Sequence, residues 1–284
     1  MSLTFRTKTK EGWTVDSVLT PFTFPAGEAH IKGAERLQPA VYQLADLRGY
    51  DSHELFQLAM WGNVNWATGA KRVLLLPYLP GARADRGEPF GAQVYADFLN
   101  RIGFDQVITL DPHSPVMPGL IENLTVFPFQ RIIKRELGDR GDMYNHPYVG
   151  VIAPDKGAID RAQRVATALH VPLFKAEKTR DFETGQLTGF TCETLPDTGK
   201  LLIVDDICDG GGTFIGLAKE LKIDRERLDL WVTHGVFSKG FSDLLDYIGH
   251  IHTTDSYDNG LYIPSRVTVH PVLPYLTGEI NLND

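Results

Sequence analysis

The sequence predicts an α/β protein whose sheets are mainly parallel and flanked by helices. Short continuous runs of Leu, Ile and Val alternate with segments whose apolar residues recur at helical spacing. Continuous apolar runs are typical of strands buried on both faces of a parallel sheet. The polar segment 138–147 contains Gly and Pro and separates two stretches of similar strand–helix rhythm, so it predicts two domains, 1–145 and 146–284.

The individual elements follow from the same alternation. Strands are predicted at 72–79, 106–113, 148–155, 171–178, 200–206 and 228–238. Helices are predicted at 89–103, at 158–170 and from Thr213 onward. The segment 178–199 has two cationic residues followed by polar residues and Gly, which predicts a mobile loop outside the core. Mobile loops that carry cations often close over phosphates, so this segment is a candidate part of a site.

Length and composition favour an ordinary globular protein. The chain has 284 residues, of which 43% are hydrophobic and 23% are charged, and its net charge is −8. It contains no basic run, which argues against nucleic acid and against an anionic membrane surface as partners. The two cysteines, Cys192 and Cys208, indicate no disulfide framework. Because no apolar run has membrane-spanning length and no signal peptide is evident, a cytoplasmic location is expected.

The segment 200–222 predicts a site for a sugar phosphate. A buried strand, 201–204, ends at Asp205 and Asp206, and a glycine-rich turn at 209–213 leads into the next helix. Glycines let backbone N–H groups approach a ligand, and the free N–H groups at the helix start favour an anion. The carboxylates can accept hydrogen bonds from vicinal hydroxyls or hold a divalent cation. A tight turn with solvated acids is the simpler interpretation, but three consecutive glycines weaken a turn unless something needs the space.

Several segments carry a family resemblance. Residues 201–213 resemble the phosphoribosyl-binding signature of the type I phosphoribosyltransferase fold, in which four apolar residues precede D-D-x-x-D-x-x-x-T. Other segments are similar, in the same order, to those of ribose-phosphate diphosphokinases, the phosphoribosyl-pyrophosphate (PRPP) synthetases. These segments are 47–60, 70–115, 151–162, 178–180 and 233–240. The resemblance covers roughly residues 20 to 255.

That resemblance implies a fold and a reaction. The fold would be two tandem type I phosphoribosyltransferase-like domains. The reaction would transfer the β,γ-diphosphoryl group of ATP to the anomeric hydroxyl of ribose 5-phosphate, with Mg²⁺ as cofactor and with AMP and PRPP as products. Such a transfer needs charge neutralisation and alignment more than a protein nucleophile.

The resemblance also assigns roles to individual residues. For the ATP site it implies Phe24, Glu28, Arg83, Asp85, Arg86 and His113. For Mg²⁺ it implies His113 and Asp155, and for the pyrophosphate loop Asp155, Lys156 and Gly157. The catalytic pair of the flexible loop would be Lys178 and Arg180. The ribose hydroxyls would bind Asp205 and Asp206, and the 5-phosphate Asp209, Gly210, Gly211, Gly212 and Thr213.

Three departures from the family pattern bear on the substrates. Ala26 stands where the F-S-D-G-E segment of the family has Asp, and Ala84 stands where its R-Q-D-R segment has Gln. Both changes remove polar side chains near the nucleotide, so adenine recognition is expected to be altered or supplied by backbone groups. The glycines at 210–212 replace T-A-G or T-G-G, which leaves a roomier pocket for the 5-phosphate.

These departures leave alternative functions open. A roomier pocket would admit ADP-ribose as the acceptor, as expected of a divergent, phage-type member that acts in rebuilding NAD. A phosphoribosyltransferase that consumes PRPP would share the 205–213 motif without needing the motifs at 83–113. A non-catalytic regulatory subunit would be expected to lose Lys178, Arg180 or His113, and all three are present. The resemblance further implies a homo-oligomer, either a dimer or a hexamer.

Overall fold

A computed structural model describes residues 3–9, 12–16, 18–37, 42–49, 51–68, 70–138, 146–180 and 187–280. The chain forms two compact units. Unit 1 comprises Met1–Phe127, Ser256–Asp258 and Val272–Asp284, and unit 2 comprises Pro128–Asp255 and Asn259–Pro271. The predicted domain boundary between 145 and 146 adjoins residues that lie outside the described ranges, and it remains a prediction.

Unit 1 is built around one mixed sheet. Its strands are β1 (Leu3–Thr9), β2 (Gly12–Val15), β3 (Thr20–Thr23), β4 (Ala29–Lys32), β5 (Tyr42–Leu47), β6 (Lys71–Leu75), β7 (Gln106–Leu110) and β8 (Leu124–Phe127). Its first helices are α1 (Ser52–Thr68), α2 (Gly91–Ile102) and α3 (Val116–Leu120). The sheet has the order β2-β1-β5-β6-β7-β8, with β5 to β8 parallel, while β3 and β4 form a separate antiparallel hairpin.

The core of unit 1 follows from the predicted apolar patterns. The helix α2 buries Ala92, Ala96, Leu99 and Ile102, which recur at helical spacing. On α1, the ring of Trp61 stacks between Phe5, at 5.7 Å, and Phe104, at 6.3 Å. The strand predicted at 106–113 ends earlier, at Leu110, because Asp111 has a φ of +40° that leaves the extended conformation.

Unit 2 is built around a seven-stranded sheet. Its strands are β9 (Tyr148–Ala153), β10 (Leu173–Arg180), β11 (Leu187–Cys192), β12 (Lys200–Cys208), β13 (Leu228–Gly235), β14 (His250–Thr254) and β15 (Val267–His270). Its helices are α4 (Gln130–Glu136), α5 (Ile159–Leu169), α6 (Gly212–Leu221) and α7 (Ser242–Leu245). The order is β11-β10-β9-β12-β13-β14-β15, and every neighbouring pair is parallel except β10 and β11.

The prediction of a loop outside the core at 178–199 is wrong for residues 178–180 and 187–192, which form strands. Residues 178–180 continue β10, and β11 pairs with β10 in antiparallel fashion. Phe190 of β11 is buried and packs closely over Gly216 of α6. The strand β11 was not recognised because its sequence is largely polar. It is the outermost strand of the sheet, where polar residues are common. Residues 181–186 lie outside the described residues.

A segment near the C-terminus belongs to unit 1. It begins at Val272 and contains α8 (Leu273–Leu276) and a single 3₁₀ turn, Thr277–Glu279. Leu276 is fully buried. The ring of Tyr275 lies 5.9 Å from that of Phe127, at the end of β8. Gln106 of β7 donates a hydrogen bond from Nε2 to the backbone oxygen of Glu279, at 3.0 Å.

The described part of the chain contains no helix with both the length and the apolar character needed to span a bilayer. Cys192 and Cys208 are both free thiols. Burial raises the pKa of Cys192 and raises the pKa of Cys208 to about 12. Both side chains therefore stay protonated near neutral pH and are poor nucleophiles.

Candidate active site

The predicted site residues of unit 2 follow or lie near the carboxyl ends of neighbouring parallel strands. In chain order, the path moves from β9 outward to β10 on one side, and from β12 outward to β13, β14 and β15 on the other. The neighbours β9 and β12 therefore flank the point where the strand order reverses. Open parallel sheets bind ligands at the carboxyl ends of their strands at such a point. Asp155 follows β9 here, and Asp205 and Asp206 lie near the end of β12.

Asp205 and Asp206 form a largely buried pair of carboxylates. Their side chains are 16% and 5% exposed, and the backbone N–H of Asp206 donates to Oδ1 of Asp205 at 2.9 Å. Burial, and then the neighbouring charge of Asp206, raise the pKa of Asp205 well above its ordinary value. Two adjacent carboxylates offer acceptors for two hydroxyl donors on one ligand, which is the arrangement that a ribose needs.

Arg161 holds this pair and was not singled out from the sequence. Its two terminal nitrogens lie 3.6 Å from Oδ1 of Asp205 and 3.6 Å from Oδ2 of Asp206, and its side chain is only 10% exposed. Its charge acts to lower the pKa of Asp205, against the effects of burial and of Asp206. Arg161 lies within the first turn of α5, the helix that follows β9 and packs on β12. The sequence offered one signal for this role. Arg161 follows the predicted strand 148–155, which ends in an acidic residue, and lies near the start of the next predicted helix.

The glycine-rich turn between β12 and α6 depends on its middle residue. Gly211 caps α6 with a φ of +75°, and a Cβ at this position would meet Leu244 of α7 at 2.9 Å. The carbonyl oxygen of Gly211 also accepts hydrogen bonds from the backbone N–H groups of Phe214 and Ile215, each at 3.1 Å. A Cβ at Gly212 would meet nothing within 4 Å, so the surroundings of this residue are open. The turn therefore leaves backbone N–H groups and open space together at the start of a ten-residue helix.

Lys178 and Asp155, both predicted site residues, form an ion pair. The Nζ atom of Lys178 lies 2.6 Å from Oδ2 of Asp155, and both side chains are partly exposed. Oδ1 of Asp155 accepts the backbone N–H of Ala158 at 3.2 Å and so caps the 3₁₀ turn Lys156–Ala158. An ammonium group has three donors, so Lys178 keeps donors for a phosphate while it contacts Asp155.

The other predicted residues around this edge are also accounted for. Lys156 is exposed, and its Nζ lies 3.8 Å from the carboxylate of Glu177. Gly157 is exposed. Arg180 is the last residue of β10, and its side chain lies outside what the structure describes. Asp209 and Thr213 occupy the two ends of the glycine-rich turn.

The predicted ATP-site residues all lie in unit 1, on three separate segments. Asp85 and Arg86 belong to the loop between β6 and α2, and Nε of Arg86 lies 3.7 Å from Oδ1 of Asp85. Arg86 and Arg83, on the same loop, are both exposed to solvent. His113 is also exposed, in the bend after β7.

Phe24 and Glu28 form the third segment, at the tip of the β3–β4 hairpin. The ring of Phe24 is 45% exposed and lies 4.8 Å from the ring of Phe22. Glu28 is exposed and lines a cavity of about 390 Å³ between this tip and α1. The cavity is lined by Gly27, Glu28, Ala29, Ser52, His53, Phe56 and Met60. A mostly apolar wall with few polar groups is typical of a small-molecule site.

Comparison with known proteins identifies the family. A family model described as the phosphoribosyl transferase domain matches residues 129–225. A ribose-phosphate pyrophosphokinase of Pyrococcus abyssi is 29% identical over 229 residues, which are 76% of this chain and 76% of the relative. That of Corynebacterium efficiens is 30% identical over 235 residues, 75% of this chain and 68% of the relative. This chain belongs to the ribose-phosphate pyrophosphokinase family.

The fold of a solved structure agrees with this family assignment. The crystal structure of phosphoribosylpyrophosphate synthetase from Mycobacterium smegmatis matches with a TM-score of 0.72 at 23% identity, and the match covers 92% of this chain and 88% of that one. The predicted α/β fold with two tandem phosphoribosyltransferase-like domains is thereby confirmed. The ribose-phosphate pyrophosphokinase resemblance read from the sequence is confirmed as well.

The donor groups of this pyrophosphokinase family member fit a magnesium ion that is bound together with a substrate. No three His, Cys, Asp or Glu side chains of the described residues converge as a preformed metal cage. Mg²⁺ usually has no such cage and is held by one or two carboxylates together with substrate phosphates. Asp155 offers one partly exposed carboxylate, and Asp205 and Asp206 offer two that are largely buried.

Proposed function

We propose that the protein transfers the β,γ-diphosphoryl group of ATP to the 1-hydroxyl of ribose 5-phosphate, giving AMP and PRPP. The observation that carries the proposal is the carboxylate pair Asp205 and Asp206, held by Arg161 directly before a glycine-rich turn at the point where the strand order reverses. Such a pair suits two ribose hydroxyls, and the turn suits a phosphate on the same sugar. The membership of the family supports the same reaction.

The acceptor would be held at both ends. Asp205 and Asp206 accept hydrogen bonds from the 2- and 3-hydroxyls, while the 5-phosphate binds the backbone N–H groups and Thr213 of the turn 209–213. Fixing both ends orients the anomeric carbon and its hydroxyl, which is the nucleophile. Orientation of this kind supplies a large part of the rate enhancement when no covalent intermediate forms.

The cationic residues would stabilise the charge that develops on the transferred group. Lys178, placed beside Asp155, and Arg180 are the proposed catalytic residues in unit 2. The proposed nucleotide-binding residues Phe24, Glu28, Arg83, Asp85, Arg86 and His113 lie in unit 1. Bound with the nucleotide, Mg²⁺ would neutralise charge on its phosphates, and the family resemblance implies Asp155 and His113 as its protein ligands. A homo-oligomeric state and a cytoplasmic location remain predictions.

The test is AMP release by the purified protein with Mg-ATP and ribose 5-phosphate, with the masses of the products measured. We expect AMP and a product that has gained a diphosphate. Asp205→Asn and Asp206→Asn should each raise KM for ribose 5-phosphate by about 10- to 100-fold, because each removes a charged acceptor. Asp197→Asn, at an exposed position, is the matched control and should leave KM unchanged. Unchanged KM and kcat in both site variants would refute the ribose assignment.

A second acceptor, ADP-ribose, is favoured by one observation. A Cβ at Gly212 would meet nothing within 4 Å, so the surroundings of this residue are open. The space beside the turn would therefore accommodate a 5-phosphate that carries a further substituent. ADP-ribose should be offered in parallel, and a diphosphate gained by ADP-ribose alone would make it the acceptor. AMP from neither sugar would favour a regulatory subunit or a PRPP-consuming transferase.

A further inference from the structure

A lysine that the family resemblance leaves without a role lies against the glycine-rich turn. The stem of Lys239 runs alongside Gly210, because a Cβ built on Gly210 would lie 3.4 Å from Cε, 3.5 Å from Cδ and 3.9 Å from Cγ of Lys239. The stem of Lys239 therefore lies within van der Waals distance of the turn at Gly210. The side chain of Lys239 is exposed, so its ammonium group can reach a ligand from solvent.

The loop that carries Lys239 is fixed to the end of β12. The backbone N–H groups of Val236 and Phe237 donate to the carbonyl oxygen of Cys208 at 2.9 and 3.0 Å. Phe237 has a φ of +47°, an uncommon conformation for a bulky residue, and its ring is buried against Phe241 at 4.5 Å. Gly240 closes the turn with a hydrogen bond to Phe237 at 2.7 Å. Strained backbone held by its surroundings often lies at functional sites.

The carboxylates around the turn would repel a bound phosphate unless a cation offset their negative charge. Asp205 and Asp206 precede the turn and Asp209 opens it, so a phosphate bound there approaches three carboxylates. Arg161 is already engaged with the first two. Among the described residues, Lys239 enters no ion pair with a carboxylate, so its charge is available to an anion.

We infer that Lys239 binds the phosphate on C5 of the ribose, and so helps to determine which sugars bind. The inference rests on the proposed function for the identity of the sugar. The ammonium group would add a charged donor to the uncharged backbone donors of the turn. It would act on the phosphate whether that group is a monoester, as in ribose 5-phosphate, or part of a diphosphate, as in ADP-ribose.

The test compares three variants in steady-state kinetics and in calorimetric binding. Lys239→Gln should raise KM for the phosphorylated sugar about tenfold or more while kcat stays within about twofold, because a charged hydrogen bond in the ground state is lost. Lys239→Arg should restore most of the affinity. Lys222→Gln removes the same charge at the far end of α6, about 15 Å along the helix, and should change nothing. Equal KM values for wild type and Lys239→Gln would overturn the inference.

Binding without ATP separates this inference from the proposed function. Calorimetry with ribose 5-phosphate and with ADP-ribose should show the loss of affinity in Lys239→Gln, and unphosphorylated ribose should bind both proteins equally. If the wild type releases no AMP but Lys239→Gln still weakens binding of the phosphorylated sugar, the reaction is wrong and the role of Lys239 stands. If neither phosphorylated sugar binds the wild type, the role of Lys239 fails as well.

Discussion

At Asp205, burial and two neighbouring charges act on one carboxyl group. Burial and Asp206 raise its pKa, and Arg161 opposes them. The charged form accepts hydrogen bonds from a sugar hydroxyl, so the protonation of Asp205 should weaken acceptor binding as the pH falls. We therefore expect Arg161 to influence the pH range in which the proposed site binds its acceptor, without touching the sugar itself.

Arg161→Gln should move the acid limb of the pH profile of kcat/KM for ribose 5-phosphate to higher pH. The direction follows because the variant removes the one charge that lowers the pKa of Asp205. At neutral pH, kcat/KM should fall by at least about tenfold, since two buried carboxylates lose their shared partner. The measurement is kcat/KM across pH 5 to 9.

Arg164→Gln is the matched control for this prediction. Arg164 lies one turn along the same helix, and its half-exposed side chain pairs with Asp160 on the helix surface. Its removal should leave the profile in place. A profile for Arg161→Gln that superimposes on that of Arg164→Gln would contradict the role given to Arg161.

At the residue level, the sequence predicted motifs better than contacts. It indicated Asp155 and Lys178 as site residues from separate motifs, but their 2.6 Å ion pair depends on the adjacency of β9 and β10. Arg161 was missed because its contact with Asp205 and Asp206 depends on the packing of α5 on β12, and no local sequence pattern encodes that packing. The roles of the predicted site residues stay predictions.

At the level of elements, the strands of unit 2 carry a second cluster of ionisable groups. On β14 and β15, Nδ1 of His252 lies 3.3 Å from Nε2 of His270, and the rings of His250 and His252 lie 4.6 Å apart. The surrounding groups on β9, β12, β13 and α4 are Tyr148, Lys200, Asp229, Trp231 and Glu136. Burial, then the neighbouring histidines and Lys200, lower the pKa of His252 to about 3.

This cluster predicts a loss of stability in mild acid. An unfolded histidine gains a proton as the pH falls through about 6.5, whereas His252 in the folded protein stays neutral down to about pH 3. Its contribution is therefore complete above pH 6.5 and declines below it, by about 1.4 kcal/mol per pH unit. Burial also lowers the pKa values of His250 and His270, so these two residues add to the same loss of stability.

The measurement is the free energy of unfolding from urea titrations between pH 8 and pH 5. His252→Gln should flatten its pH dependence, because one group that takes up a proton only on unfolding is gone. His170→Asn is the control. His170 is exposed in a left-handed conformation at the end of α5, which Asn tolerates, and its replacement should leave the slope unchanged. An unaltered slope in His252→Gln would show that His252 does not stay neutral in the folded protein.

Element prediction succeeded where strands contain a run of consecutive apolar residues. The central strands β9, β12 and β13 and the helices α2 and α5 lie within a few residues of their predicted positions. The strand β11 was not predicted, because its two large apolar residues, Leu187 and Phe190, lie three positions apart and do not show the alternation of a strand. Tertiary pairing with β10 decided its conformation, as is common for edge strands.

At the scale of the whole molecule, the repeated strand–helix rhythm predicted a two-part α/β protein. It could not predict which distant segments complete each unit. The residues that follow Pro271 add to unit 1 through contacts separated by more than a hundred residues, such as that from Gln106 to Glu279. Such pairings depend on the final packing and leave no local pattern.

Leu276→Ala should destabilise the protein by about 2–5 kcal/mol, because Leu276 is fully buried and the variant leaves a cavity. Hydrogen exchange followed by mass spectrometry should show faster exchange in β7 and β8, and little change in β12 and β13. Leu261→Ala is the control, because Leu261 is 38% exposed. Equal exchange in both variants would mean that α8 does not support unit 1.

Because unit 1 is made of three separate segments, it also constrains the order in which the two units can fold during synthesis on the ribosome. Residues 3–127 are made before unit 2, but the contacts of Phe127 with Tyr275 and of Gln106 with Glu279 cannot form until residues 275 and 279 have been made. Unit 2, drawn from 128–255 and 259–271, has all its strands before that point. Unit 1 therefore begins before unit 2 but is completed after it, and a nascent chain halted before residue 272 would contain all the strands of unit 2 while unit 1 was still incomplete.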